Sequence, residues 1–280
     1  MKKVVIVTDS SANVPPRLVE ELDIRVVPIK LAINGYAFQD GVDITPSQVY
    51  SLLRDGKHVP TTSAPSIGDF LRVYAAATQE AACIVSIHLS SSLSATYNVA
   101  VAASQLVEQV PVRVVDCPTA AMGQGFAVLE AARAAAAGAG PDAVIARARE
   151  VASKVQLLAT IDTLEHLRRG GRIGAAAALL GAALQIKPVL SLAGGHVDVV
   201  ARPRTQAKAL RVMLQEMAGE VDSCRLHAAV LHASAAEEAE DLRQRIERRF
   251  DCSELLVTEL TPVMGAHTGP GVLGVAFYVE

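Results

Sequence analysis

The 280-residue chain contains no tryptophan, and aromatic residues make up only 4% of it. So few rings make stacking platforms for nucleic-acid bases hard to assemble. There is no charge excess either. The 26 Lys and Arg against 29 Asp and Glu give -3 at pH 7, with both signs mixed along the sequence, so nucleic acid and an anionic membrane surface are not expected partners. No apolar run reaches the ~20 residues that span a bilayer, and Val4–Val7 after Met1-Lys2-Lys3 is too short for a secretion signal. The sequence reads as cytoplasmic, without stable membrane insertion. Cys83, Cys117, Cys224 and Cys252 form no Cys-x-x-Cys pair and have no His at ligand spacing. Structural zinc, any other bound metal and a disulfide framework are therefore not expected.

What is present is alternation. Lys3–Thr8 reads as a strand, and Pro15-Pro16 opens a helix to Leu22. Ile24–Ile33 reads as one strand, with an Asn34-Gly35 turn into Tyr36–Phe38. Thr45-Pro46 starts a helix ending near Gly56, and Ser66 caps the next, with Asp69 completing an acidic capping box. Strands at Cys83–His88 and Val112–Asp116 alternate with helices at Ser94–Val107, Met122–Ala137 and Asp142–Lys154. This half predicts a mostly parallel sheet with helices on both faces. From Leu157–Ile161 onward the pattern changes. A hairpin (186–192, Gly194-Gly195, 196–201), helices at 205–218 and 235–249, and strands at 226–232, 254–260 and 272–279 predict a two-layer mixed sheet. The fold class is thus α/β in two domains, 1–155 and 156–280.

Hydroxyl- and glycine-rich clusters fall where strands feed loops: Thr8–Ser11, Thr61–Ser63, Ser90–Ser94, Arg168–Arg172 and His267–Gly271. In an open α/β sheet ligands bind outside the carboxyl ends of the strands. A helix beginning at Ser94 offers free backbone N–H groups to an anion, and Thr62 and Ser94 add neutral donors. Gly265, Gly269, Pro270 and Gly271 predict a fixed loop around His267, and the glycines between Arg169 and Arg172 predict a loop presenting cations. Residues 174–184, apolar on every face and rich in alanine, predict a buried helix with room beside it for an acyl tail.

In order and spacing these clusters resemble the DegV family across nearly the whole chain. The matching segments are Val7–Ser10, Thr62–Ser66, Leu93–Tyr97, Asp116 with Met122–Gly125, Leu164-Glu165 through Gly170–Ile173, Ile186–Pro188, Arg204-Thr205 with Lys208-Ala209, and Gly265–Gly271. The resemblance implies a parallel-sheet N-terminal domain and a mixed-sheet C-terminal domain with the ligand at their junction, and a lipid-binding protein holding one long-chain fatty acid of the palmitate or oleate class, without a cofactor. It implies a carrier, not an enzyme, with no catalytic residue of its own: a separate ATP-binding fatty acid kinase subunit phosphorylates the carboxylate. Thr62, Ser94 and His267 would hold the carboxylate, and Arg172 and Arg204 would serve the acyl phosphate or the kinase. Ala64, Ala95, Cys117 and Ala121 depart from the family's usual Gln, Gly, Ser and Ser, and a methyl at Ala95 would crowd the backbone beside the anion.

Two rivals are read from the residues. Ser94, His267 and an acid such as Asp9 can be drawn as a hydrolase triad, although no Gly-x-Ser-x-Gly elbow surrounds Ser94. A self-sufficient kinase lacks its Gly-x-x-x-x-Gly-Lys-Ser/Thr loop.

Overall fold

The computed structural model describes residues 3–54, 60–180, 186–221 and 225–280. Strands β1 (Lys3–Asp9), β2 (Arg25–Val27), β6 (Ala81–His88) and β7 (Val112–Asp116) form a parallel sheet in the order β2-β1-β6-β7. A three-stranded antiparallel sheet, β4 (Tyr36–Gln39), β3 (Lys30–Ile33) and β5 (Thr61–Ser63), lies beside it in sequence. The third sheet is mixed, with β8 (Gln156–Thr160), β9 (Val189–Ala193), β10 (His196–Ala201), β11 (Leu226–His232), β12 (Cys252–Glu259) and β13 (Leu273–Val279) in the order β10-β9-β8-β13-β11-β12. Its only parallel pair among the described strands is β11 with β12.

Helices complete five layers. α3 (Ile67–Ala77) and α4 (Thr96–Ser104) cover one face of the parallel sheet, and α5 (Ala121–Ala136) and α6 (Pro141–Lys154) cover the other. The same α5–α6 pair then packs on the mixed sheet, whose far face carries α8 (Gln206–Glu220) and α9 (Ala236–Arg249). Alternation along β1 shows the cause: Val5 and Val7 join the core under α3 and α4, whereas Ile6 joins the one under α5 and α6. A helix layer pressed between two sheets has no solvent face to spare. α5 is accordingly buried along most of its length, and a Cβ at Gly125 would overlap the Ala12 carbonyl. Small side chains permit that close approach, which gives the alanine-rich stretch 120–136 a packing reason.

Some expectations are corrected. Ile24–Ile33 is two strands in two sheets, because Pro28 has no N–H for a ladder; the next amide, Ile29 N–H, instead donates to Ser10 Oγ (3.0 Å). The helix expected from Ser94 starts at Thr96 and ends at Ser104. Of the segment 174–184, the described residues 174–180 do not make a buried α-helix. A 3-10 stretch runs Gly174–Leu179, only Ala176 and Leu179 of it are buried, and 181–184 lie outside the described residues. Gly174, at φ 52°, has left-handed backbone that no regular right-handed helix continues through, and alanine offers too little apolar area to draw the segment inward. The capping box at Ser66 and Asp69 forms as expected, and α2 (Pro46–Arg54) begins after Thr45; Gly56 lies outside the described residues. Cys83, Cys117 and Cys252 are free thiols, and Cys224 is not described. No helix among the described residues is long and apolar enough to cross a membrane.

Candidate functional site

The remaining helices, α7 (Glu165–Arg169) and α10 (Pro262–Thr268), and strand β5 bring the polar clusters together. β5 pairs with β3 so that Thr62 stands opposite Leu31. His267 lies in the last turn of α10, not on a loop. Pro262 opens this short helix, and Gly269, at φ 79°, closes it. The connection into it is fixed from three directions. Val263 N–H donates to Asp40 Oδ1 (2.9 Å), Thr261 N–H to Asn13 Oδ1 (3.1 Å), and Tyr50 OH to the Leu260 carbonyl (2.9 Å). These supports come from residues more than 200 positions away in sequence, and no local pattern announces them.

Thr62 Oγ1 and His267 Nε2 are 2.8 Å apart, while His267 Nδ1 is buried without a partner. Burial, reinforced by the positive charge of Arg172, lowers the His267 pKa to about 4, so the ring is neutral at pH 7. Arg172 Nε donates to the Leu93 carbonyl (3.0 Å) and Nη1 to the Gly170 carbonyl (2.5 Å). Gly170 is required for this approach, since a Cβ there would overlap His267 Nδ1. Ser94 Oγ is 2.9 Å from Thr96 Oγ1 and accepts from Thr96 N–H (3.3 Å), just ahead of α4. Ala95 has right-handed backbone (φ -71°, ψ -4°), which an alanine adopts without strain.

Thr62, Ser94, Arg172 and His267 all line a cavity of about 360 Å³. Ile29, Leu89, Leu157, Ile161, Leu190 and Val263 contribute to its apolar walls, drawn from all three sheets' neighbourhoods and α10. Residues 174–180 do not line it. Its apolar walls come from β8, β9 and β10, from residues just outside strands such as Ile29, Leu89 and Ile161, and from α10, so no one apolar stretch among the described residues builds it. Arg204 is exposed and lies outside this lining. Arg168 and Arg169 are the end of a helix, not a loop, and both pair with Glu165 (2.7 and 2.6 Å).

A larger, more open crevice of about 420 Å³ lies at the carboxyl end of β1. Among the described residues its charged lining is Asp9, Glu20, Asp40 and Glu259, with no Lys or Arg, the wrong sign for an anionic ligand. The hydrolase triad is not assembled. Asp9 bonds His88 (2.9 Å), and His267 bonds Thr62 rather than Ser94. No group of three His, Cys, Asp or Glu placed to hold a metal occurs among the described residues.

Fold and cavity together define a two-domain α/β protein with an apolar chamber whose lining includes hydroxyls, a neutral imidazole and one guanidinium. Residues 3–280 match the family model described as "Uncharacterised protein, DegV family". A DegV domain-containing protein of Streptomyces coelicolor is 39% identical over 276 residues, 98% of each chain, and one of Halalkalibacterium halodurans is 34% identical over the full length of both. Among solved structures, a Thermus thermophilus DegV family protein described by its fatty acid binding superposes with a TM-score of 0.95 at 36% identity, covering 99% of this chain and all of that one. Bacillus subtilis DegV, described as a fatty acid binding protein, gives 0.92 at 28% identity, covering both chains fully. The chain belongs to the DegV family.

Proposed function

We propose that this protein holds one long-chain fatty acid, of the palmitate or oleate class, and presents its carboxylate to a separate ATP-dependent fatty acid kinase in the cytoplasm. The observation that carries the reading is the apolar chamber of about 360 Å³ whose lining includes Thr62, Ser94, Arg172 and His267. Each buried methylene contributes ~0.8 kcal/mol, so a sixteen-carbon tail supplies on the order of 10 kcal/mol. The head group needs only orientation. In this reading Thr62, Ser94 and His267 take the carboxylate by hydrogen bonds, and Arg172 supplies charge beside them. With domains divided at residues 155 and 156, Thr62 and Ser94 come from the first and Arg172 and His267 from the second. Exposed Arg204 is a contact for the kinase: Arg204→Ala leaves fatty acid affinity unchanged while slowing transfer in a reconstituted reaction. The described relatives from T. thermophilus and B. subtilis support the ligand class. The carrier role rests on the absence of any phosphate-gripping loop in the chain itself.

Organic extraction of the purified protein followed by mass spectrometry tests the reading, with one fatty acid per chain expected. A protein that yields no extractable acid and takes up neither added palmitate nor oleate is not this carrier.

A further inference from the structure

The walls of the apolar chamber are not closed equally. Leu89, Leu157 and Leu190 are buried, but Leu192 and Val197 on the β9–β10 hairpin and Leu93 on the loop after β6 are only partly so. The chamber comes nearest the surface where the hairpin meets that loop.

Little holds the hairpin there. β9 pairs with β8 only through Val189, Leu190 and Ser191, and β10 is an edge strand of the mixed sheet. Leu192 and Val197 pair only with each other, so this part of the hairpin overhangs the sheet. Behind it, the Val197 carbonyl packs on Gly174 of the 3-10 stretch, itself anchored by just two buried residues. The tip crosses to the carboxyl ends of β6 and β7. Gly195 N–H donates to the Pro118 carbonyl (2.7 Å), the one hydrogen bond from the tip to that side among the described residues. Gly195 is buried, although Ala193, Gly194 and His196 around it are exposed. A Cβ at Gly195 would overlap Ser90 Oγ and crowd Ser92. Gly194 shares the left-handed backbone, φ 58° against 79°, but a Cβ there meets nothing within 4 Å. Both glycines supply backbone freedom, and only Gly195 also supplies space.

We propose that the β9–β10 hairpin is a strap over the chamber, with Gly195 as its latch, and that a fatty acid enters and leaves where the tip lifts from Ser90 and Pro118. The proposal rests on the fatty acid reading above. Local opening falls on segments with few buried contacts and few bonds, and such loops set the rate at which ligands exchange. Lifting the tip breaks one backbone bond and leaves the β8–β9 ladder intact. Thr62, Ser94 and His267 lie on other elements, so the carboxylate site stays assembled while the apolar wall opens. The loop facing the strap stays in place, because Arg172 Nε holds the Leu93 carbonyl (3.0 Å).

The test follows uptake and release of cis-parinaric acid, a straight-chain fluorescent fatty acid, by stopped flow with the delipidated full chain, and its Kd by titration. A weaker latch opens the empty and the loaded protein alike, so it speeds both steps and nearly preserves their ratio. A damaged wall speeds release alone. Gly195→Ala is expected to accelerate uptake and release about fivefold or more, with Kd within about threefold. Gly194→Ala, which carries the backbone strain without the clash, should leave both rates within about twofold, as should Ser90→Ala. Combining Gly195→Ala with Ser90→Ala removes the oxygen that the new methyl strikes and should bring both rates back toward wild type. Hydrogen exchange needs no variant: palmitate should slow residues 192–197 of the wild-type protein by about threefold or more. The strap is overturned if Gly195→Ala changes neither rate or release alone, if Gly194→Ala matches it, or if palmitate leaves exchange at 192–197 unchanged. Parinarate binding alongside any of those results leaves the fatty acid reading standing. A wild-type protein that binds neither parinarate nor palmitate overturns both.

Discussion

Two histidines, His88 and His267, are enclosed in the same molecule and use their ring nitrogens differently. His88 is fully buried at the end of β6, its Nδ1 2.9 Å from Asp9 Oδ2 and its Nε2 2.7 Å from Ser86 Oγ, which in turn meets Tyr74 OH at 2.9 Å. Asp9 is also met by Gln124 Nε2 (3.1 Å) and by the amides of Ser11 (3.1 Å) and Leu89 (3.3 Å). The Ser–His–Asp distances are those of a hydrolase triad, yet Ser86 and His88 are fully buried and line neither the apolar chamber nor the crevice beside β1. Every bonding position is occupied by the protein. His267 has one partner and one buried orphan nitrogen, and it lines the apolar chamber. A satisfied polar group holds a fold together, whereas an incompletely satisfied one at a cavity wall is available to a ligand.

The contrast breaks most visibly in stability. Burial alone would raise the Asp9 pKa, but the hydrogen bond and charge of His88, with Ser11 and Leu89, outweigh it and hold the carboxyl low. Removing one partner of such a buried pair costs about 3–5 kcal/mol. Asp9→Ala is expected to lower the unfolding free energy by that amount in urea titration. His267→Ala should change it by less than about 1.5 kcal/mol, since it also removes an unpartnered nitrogen. Equal losses in the two variants would end the distinction.

A second satisfied ring, His227, sharpens it. His227 lies between Glu254 (3.3 Å) and Glu280 (3.0 Å), and Glu254 also receives Arg133 from α5 (2.6 Å), tying the shared helix layer to the mixed sheet. Burial opposes ionisation of Glu254, but the hydrogen bonds from His227 and Arg133 prevail and lower its pKa to about 2. A depressed carboxyl stabilises the fold fully above its unfolded value near 4.5 and loses that contribution as pH falls toward about 2. Glu254→Gln should flatten the acid limb of the stability curve by up to about 3 kcal/mol. An acid limb as steep in the variant as in wild type would show that this carboxylate is not the group responsible.

Binding, not stability, should respond at the cavity wall. Losing one hydrogen bond to a charged group costs ~1.5–3 kcal/mol, so Thr62→Val and Ser94→Ala are each expected to weaken fatty acid binding about tenfold or more. Unchanged affinity in both single variants and in the double variant would remove these hydroxyls from the head-group site.

The sequence announced this wall better than it announced the structure behind it. Thr62, Ser94, Arg172 and His267 stand in hydroxyl, arginine and glycine clusters that show at a glance, and the strand–helix alternation gave the sheets. The three-residue β5 and the seven-residue α10 are too short for periodicity to register, and Gly265 and Gly269 disguise the helix as a loop. Asp9, His88 and Gln124 are brought together across 79 to 115 residues. The apolar chamber is built from short pieces of several strands, their flanking residues and α10, so no one stretch among the described residues encodes it.

The smallest expected effect tests what the open ring at the wall does when a ligand arrives. Burial and the charge of Arg172 place His267 at about 4, below the usual imidazole value of 6.5. Between those two values the unfolded chain binds a proton that the folded one does not, so the unliganded protein loses stability as pH falls from 6.5 toward 4. A carboxylate within hydrogen-bonding reach acts in the opposite direction, because a nearby anion favours the imidazolium. Palmitate should therefore raise the His267 pKa by about one unit, equivalent to about 1.4 kcal/mol of coupling. The His267 ring resonance, assigned by its loss in His267→Gln, is followed by NMR through a pH titration with and without saturating palmitate. A value that stays put or moves down when palmitate binds would mean that the carboxylate lies elsewhere in the chamber, and that His267 shapes the wall without touching the ligand.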